Sequence, residues 1–234
     1  MTVVFVETPE KRTGAFFGRR KGHALKPRQA ALFDTLLPRL ALDLARAAPA
    51  DLRTLFPDVD EVRLESGFGG GEHLIAEAER HPRAGFIGIE PFVNGMAKAL
   101  AAIEDRKLDN IRLHHGDATD LLNWLPPGSL ARIDLLYPDP WPKRRHWKRR
   151  FVQDETVGAM ARLLRQGGEF RFATDIADYA TWTLARLMRS PDFAWTAEQA
   201  SDWRQPWPDF AGTRYETKAK RAGRVPCYLI FKRN

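Results

Sequence analysis

The stretch Glu61-Val62-Arg63-Leu64-Glu65-Ser66-Gly67-Phe68-Gly69-Gly70-Gly71-Glu72 decides how this chain folds. Its first six residues read as a strand, residues 67–71 as a tight turn and residues 72–81 as a helix. Glycines after a first strand let a ligand approach the backbone at the mouth of a sheet. A dinucleotide fingerprint would need glycines at 67, 69 and 72, and position 72 is Glu. An acid at a helix N-terminus stands where a pyrophosphate would bind, and repels it. Glu65, just ahead of the turn, adds negative charge. The turn suits a ligand that is neutral or cationic on this side.

The same alternation continues outward. Residues 85–90 read as a second strand, 92–106 as a helix, and 110–116 and 133–137 as two further strands. A helix over 151–164 is expected to stop at Gly167-Gly168, before a strand at 169–174 and a helix over 177–189. Residues 193–197 and 225–232 complete a set of seven strands. Ahead of all of them, Leu32, Phe33, Leu36, Leu37, Leu40 and Leu44 recur at helical spacing, which predicts an amphipathic helix over 29–48. Such a pattern implies an α/β fold with a doubly wound, mostly parallel seven-stranded sheet. Neither a repeat nor a linker divides it, so residues 29–234 are expected to form one domain behind a mobile basic arm, 1–28.

Two acids fall at strand ends. Glu90 lies 19 residues past Gly71, the usual distance for a carboxylate that accepts hydrogen bonds from ribose hydroxyls. Asp117 follows His114-His115-Gly116, where an acid can accept from an adenine amino group. Either acid alone reads as a solvated strand end. Together with the glycine turn they outline a pocket for an adenosine-type cofactor, and S-adenosyl-L-methionine, with its sulfonium and ammonium, fits the acidic turn.

A second stretch carries different chemistry. Tyr137-Pro138-Asp139-Pro140-Trp141-Pro142-Lys143 leaves a strand end as a stiff turn, because each proline fixes φ. Six of the eight residues from Lys143 to Arg150 are Lys or Arg. An acid, an aromatic plane and a cationic run suit an aromatic base carried on a polyanion. Trp141 can stack on such a base or anchor the turn to the core.

Composition agrees with this outline. A chain of 234 residues can bury one substantial core, and 44% hydrophobic content excludes a disordered chain. No apolar run approaches the ~20 residues that span a bilayer, and no signal-peptide pattern opens the sequence. The single cysteine, Cys227, rules out an intrachain disulfide or a Cys-based zinc site. A cytoplasmic protein is expected. The net charge of +7 favours an anionic partner. Seven of the basic residues fall between Lys11 and Arg28 with no acid among them, and a third basic cluster spans residues 214–224. His114, His115 and His146 lack metal-ligand spacing, so no metal is expected. Monomer and homodimer both stay open.

Glu65-Ser66-Gly67-Phe68-Gly69-Gly70-Gly71-Glu72, Gly88-Ile89-Glu90, Gly116-Asp117-Ala118, Pro138-Asp139-Pro140-Trp141-Pro142-Lys143, Ala173-Thr174-Asp175 and Thr213-Arg214-Tyr215-Glu216 together resemble the bacterial tRNA (guanine-N7)-methyltransferase family. Gly18-Arg19-Arg20-Lys21-Gly22 extends the likeness into the arm, and Ser66 departs from it, standing where the family has an aliphatic residue. The resemblance implies a Rossmann-like class I methyltransferase fold and transfer of a methyl group from S-adenosyl-L-methionine to N7 of a variable-loop guanosine in tRNA. It assigns Asp139 to catalysis. Glu65, Gly67, Gly69, Glu90, Asp117 and Asp139 would hold the cofactor. Lys143, Asp175, Thr213, Arg214, Tyr215 and Glu216 would meet substrate, although Asp175 also stands where a cap for the next helix belongs. Arg145, His146, Trp147, Lys148, Arg149 and Arg150 would contact RNA. Two rival readings are a methyltransferase acting on an exocyclic amino group of RNA or DNA, and a non-catalytic RNA-binding subunit.

Overall fold

The computed structural model describes Gly18 and residues 20–234. The glycine turn joins β1 (Glu61–Ser66) to α3 (Glu72–Arg80), followed by β2 (Ala84–Ile89), α4 (Val93–Arg106), β3 (Ile111–His114), α5 (Ala118–Trp124) and β4 (Leu130–Leu136). Then come α6 (Asp154–Leu163), β5 (Leu164–Thr174), α7 (Ala177–Arg189), β6 (Phe193–Trp195), α8 (Ser201–Arg204), α9 (Arg214–Arg221) and β7 (Cys227–Arg233), while α1 (Pro27–Thr35) and α2 (Leu37–Leu40) precede them all. The seven strands form one sheet in the order β3-β2-β1-β4-β5-β7-β6. The first five are parallel, and β7 runs antiparallel to both β5 and β6. The mostly parallel, doubly wound sheet expected from the sequence is present.

Chain order reverses between β1 and β4, which pair side by side with Ser66 opposite Leu135. The loops leaving their carboxyl ends diverge to opposite faces there, and that crevice is where open α/β sheets bind ligands. The sheet is held by helices on both faces. Phe170, Phe172 and Phe231 are fully buried on β5 and β7, each contributing about 1.5–3 kcal/mol by leaving water. Leu74, Ile75, Met96, Leu100 and Ile103 line α3 and α4 on a second apolar cluster with Phe86 and Ile111.

Three local expectations are corrected. The helix foreseen over 29–48 breaks at Leu36 and ends at Leu40. Pro38 has no N–H to give back to the preceding turn, and Leu42 instead donates its backbone N–H to the Leu113 carbonyl at 3.0 Å, beside β3. The second correction concerns Gly167-Gly168, which do not stop a helix. The helix ends at Leu163 and the chain passes directly into β5. Gly167, at φ 72°, lies where the pairing jumps from Leu130–Leu164 to Arg132–Glu169, an extended bulge that only a left-handed residue permits. Third, α5 and α9 fall in stretches to which the sequence reading assigned no element. Asp117 caps the first by accepting from Thr119 N at 2.9 Å, and Thr213 caps the second by accepting from Glu216 N at 3.1 Å.

Of the expected arm, residues 1–17 and 19 lie outside the described residues. Residues 20–23 run along the start of α4. Val93 N donates to the Arg20 carbonyl at 2.9 Å, Gly22 N to Asn94 Oδ1 at 2.7 Å, and Asn94 Nδ2 to the His23 carbonyl at 2.8 Å. Among the described residues, no helix is long and apolar enough to cross a membrane.

Candidate active site

A cavity of about 590 Å³ opens at the β1–β4 reversal. Gly67 and Gly69 form one wall, Glu90 and Asp117 the next, and Tyr137, Pro138, Asp139 and Trp141 the third. Lys148 and Arg149 edge it, and Tyr215 reaches in from α9. Four sequence segments that are far apart in the chain thus meet at strand ends.

The acidic side is held by backbone. Gly69 takes φ 59°, a conformation costly for any residue with a Cβ. Its N–H donates to Glu90 Oε2 at 2.6 Å, and Phe92 N donates to Glu90 Oε1 at 2.8 Å. The Glu90 carboxylate therefore ties the glycine turn to the start of α4. Gly95 completes the fit, since a Cβ there would lie 2.2 Å from the Gly69 carbonyl oxygen. Burial pushes the Glu90 carboxyl up to about 7, against the opposing pull of those two N–H donors. Asp117 keeps its α5 cap while lining the cavity.

The other side is held by strain and packing. Tyr137 N donates to the Ala173 carbonyl at 2.7 Å as the chain leaves β4. Tyr137 and Trp141 then take φ 50° and 44°, each in a region that costs a side-chain-bearing residue about 1–2 kcal/mol. Asp139 lies between them, its side chain open to the cavity. Enclosure by protein still thins its hydration, and this desolvation raises its carboxyl above the ordinary value. The basic run that follows winds into a single 3-10 helix, Arg144–Arg149. Arg144, Arg145 and Lys148 are exposed on it, as is Lys143 just ahead of it. The Arg149 guanidinium lies 5.0 Å from the Trp141 ring centre, and His146 packs edge-on against the same ring. Trp141 is therefore both a packing partner and a wall of the cavity.

Not every expected residue reaches the cavity. Glu65 is buried with Oε2 2.8 Å from His73 Nδ1, its carboxyl raised by burial, and is absent from the cavity wall. Lys143, Arg145, His146 and Trp147 lie outside the wall. Asp175 is bound by Arg224 Nε at 2.5 Å and does not cap α7, whose N-cap is Ile176. In the Thr213–Glu216 block, Thr213 is the helix cap. Glu216 is buried and accepts from the Tyr228 hydroxyl and Lys220 Nζ, each at 2.5 Å. Arg214 and Tyr215 lean over the glycine turn, where a Cβ on Gly69 would come within 3.4 Å of both side chains.

Arg150 is a correction. Expected at an RNA backbone, it is 2% exposed, because its guanidinium is enclosed by Trp147, Tyr179 and Trp182. Sequence reasoning also missed Gln153 and Thr156, which line the cavity from the N-cap and first turn of α6. Their signal was a capping pair, since Gln153 N donates to Thr156 Oγ1 at 2.9 Å.

The set of groups fits a nucleoside carrying positive charge. Three carboxylates face the cavity, while the cations sit at its mouth. Among the described residues, no group of three or more His, Cys, Asp or Glu could hold a metal ion.

Comparison with known proteins agrees. Residues 60–228 match the family model described as "Putative methyltransferase". A tRNA (guanine-N(7)-)-methyltransferase of Rhodopseudomonas palustris is 66% identical over 94% of this chain and 89% of its own length. Its counterpart in Nitrobacter hamburgensis is 63% identical over 96% of this chain and 88% of its own. Among solved structures, the 16S rRNA methyltransferase KamB superposes with a TM-score of 0.54 at 17% identity, over 81% of this chain and 95% of that one. A Streptococcus mutans protein described as "a putative methyltransferase", solved in complex with SAH, gives 0.50 at 10% identity, over 76% and 90%. These two share the fold of this chain. The sequence relatives share far more, and the chain belongs to the tRNA (guanine-N(7)-)-methyltransferase family.

Proposed function

We propose that the protein transfers a methyl group from S-adenosyl-L-methionine to N7 of a guanosine in the variable loop of tRNA. The observation that carries this reading is the position of Asp139. It stands across the β1–β4 crevice from the glycine turn, with an acidic cavity on one side and a basic rim on the other.

Glu90 and Asp117 would accept hydrogen bonds from the nucleoside part of the cofactor, and the Gly67–Gly69 backbone gives it close approach. When bound, S-adenosyl-L-methionine supplies an electrophilic methyl group on a sulfonium. Guanine N7 carries a lone pair and no proton, so this chain needs no general base. What it must do is orient the purine and tolerate the positive charge that the purine acquires. Asp139 can accept from the guanine N1–H and 2-amino group, or stabilise that charge directly. A cation beside it opposes the effect of burial and favours its ionised form. Tyr215 and Arg214 would cover the site from α9. Lys143, Asp175, Thr213 and Glu216 are the remaining substrate-side assignments, the last two acting by fixing the start of α9. Arg145, His146, Trp147, Lys148 and Arg149 would meet the RNA. Residues 1–28 are assigned as an arm that adds contacts to tRNA, and residues 29–234 as the methyltransferase domain. Such a protein works in the cytoplasm, as a monomer or a homodimer.

Nucleoside analysis of total tRNA incubated with the protein and labelled S-adenosyl-L-methionine tests the reading. Label in 7-methylguanosine is the expected result. Label on an exocyclic amino group would overturn the N7 assignment. No label at all, with cofactor and tRNA both bound, would leave an RNA-binding subunit.

A further inference from the structure

Arg150 ends the basic run, yet its side chain points inward. Its guanidinium carbon lies 5.0 Å from the ring centres of Trp147 and Trp182 and 4.9 Å from that of Tyr179. Nε donates to the Pro140 carbonyl at 2.9 Å, and Nη2 pairs with the Asp178 carboxylate in the first turn of α7. Among the described residues, Nη1 is buried without a hydrogen-bond acceptor. Three aromatic faces and a carboxylate are the right surroundings for a guanidinium taken out of water. Arg150 belongs to the cavity lining, but its side chain is fully buried, and these neighbours hold the guanidinium away from a phosphate at the surface.

The carbonyl that Arg150 grips belongs to the loop of Asp139. That loop is poorly equipped to hold itself. Pro138 and Pro140 have no N–H to donate, and Tyr137 and Trp141 both sit in the left-handed region. Such a conformation persists only where the surroundings impose it. Its entry is fixed by the hydrogen bond from Tyr137 N to the Ala173 carbonyl on β5. Arg150 fixes its exit, one residue past Asp139. The Arg150 backbone N–H in turn donates to the Trp147 carbonyl at 3.0 Å. One residue thus joins the exposed basic turn to the Asp139 loop.

We infer that Arg150 is a positioning residue for Asp139: it sets the carboxylate in the cavity by holding the Pro140 carbonyl from inside an aromatic cage, and does not contact RNA. The inference rests on the reading of Asp139 as the catalytic carboxylate.

Arg150→Met fills the cage without a donor, and Arg150→Lys keeps the charge but loses the planar fork. Both are compared with the parent protein in steady-state methylation, in tRNA binding across a salt series, and in thermal stability. The Met variant is expected to lose about 10²-fold in kcat, while KM for tRNA and the salt slope of binding stay at parental values. The Lys variant is expected to recover part of kcat. A merely structural residue would not separate kcat from KM or be rescued by Lys. A shallower salt slope in either variant would mean that Arg150 meets phosphate, and a kcat within about threefold of the parent for Arg150→Met would mean that it positions nothing. Either result overturns the inference. If the Met variant does not fold, the Lys variant decides, with reduced kcat at parental KM supporting the inference and full kcat overturning it. Asp139→Ala assayed alongside keeps the two readings apart. Turnover retained there defeats the role of Asp139 itself, whatever the Arg150 variants show.

Discussion

The two sides of the cavity are built by opposite means. On the glycine-turn side, Glu90 sits at the end of a regular strand and binds two backbone N–H groups. On the Asp139 side, two residues in the left-handed region flank the acid, and beyond one backbone hydrogen bond at the loop's entry the support comes from side chains that follow it in sequence. A carboxylate anchored to main chain keeps its place whatever its neighbours are. A carboxylate on a strained loop depends on packing, and Arg150 is part of that packing. The difference teaches that the binding half of the site is intrinsic to the sheet, while the reacting half is tuned by tertiary contacts.

Replacing each acid is the most direct way to break this comparison. Asp139→Ala is expected to have the largest effect, a loss of at least about 10²-fold in kcat with cofactor binding retained, measured by single-turnover methylation and calorimetry. Loss of cofactor binding alone would instead make Asp139 a binding acid like Glu90.

Glu90→Gln is expected to act on binding, weakening S-adenosyl-L-methionine about 10-fold, or about 1.4 kcal/mol, with a smaller effect on kcat. The pH dependence sharpens the point. A carboxyl raised from 4.5 to about 7 by burial is more protonated in the folded chain than in the unfolded one. Its contribution to stability is fully present below pH 4.5 and is lost as pH climbs through about 7. Binding that favours the ionised form should tighten over the same upper range and release a proton. Calorimetry in buffers of different ionisation enthalpy reads that proton, and its persistence in the Gln variant would assign it to another group.

The smallest effect is expected at the rim. Arg145→Gln with Lys148→Gln should weaken tRNA binding and reduce its salt slope by about 0.7–0.9 for each phosphate no longer neutralised. An unchanged slope would remove this turn from the RNA face.

Much of the acidic half was legible in the sequence. Strand periodicity, the glycine turn and the spacing to Glu90 and Asp117 are local signals, and in a parallel sheet local position along a strand fixes which end a residue occupies. The caps on α5 and α9 were legible as well, in Asp117-Ala118-Thr119 and Thr213-Arg214-Tyr215-Glu216, though the helices they start are too short to show a clear period. Although the helix expected over 29–48 ran through Pro38, the signal for the break at Leu36 lay in that residue. The inward turn of Glu65 toward His73 did not, because the two residues meet only once α3 packs on β1.

The sequence by itself determined the strand–helix alternation, the acids at the strand ends, and the Pro-Asp-Pro-Trp turn with its basic run, since each depends on residues close together in the chain. Only the tertiary structure decided which members of that run face solvent. Arg145 and Lys148 remain exposed, whereas Arg150 turns inward because Tyr179 and Trp182 on α7 arrive to enclose it. Charge is a property of composition. Whether a charge meets phosphate or holds a loop depends on what packs around it.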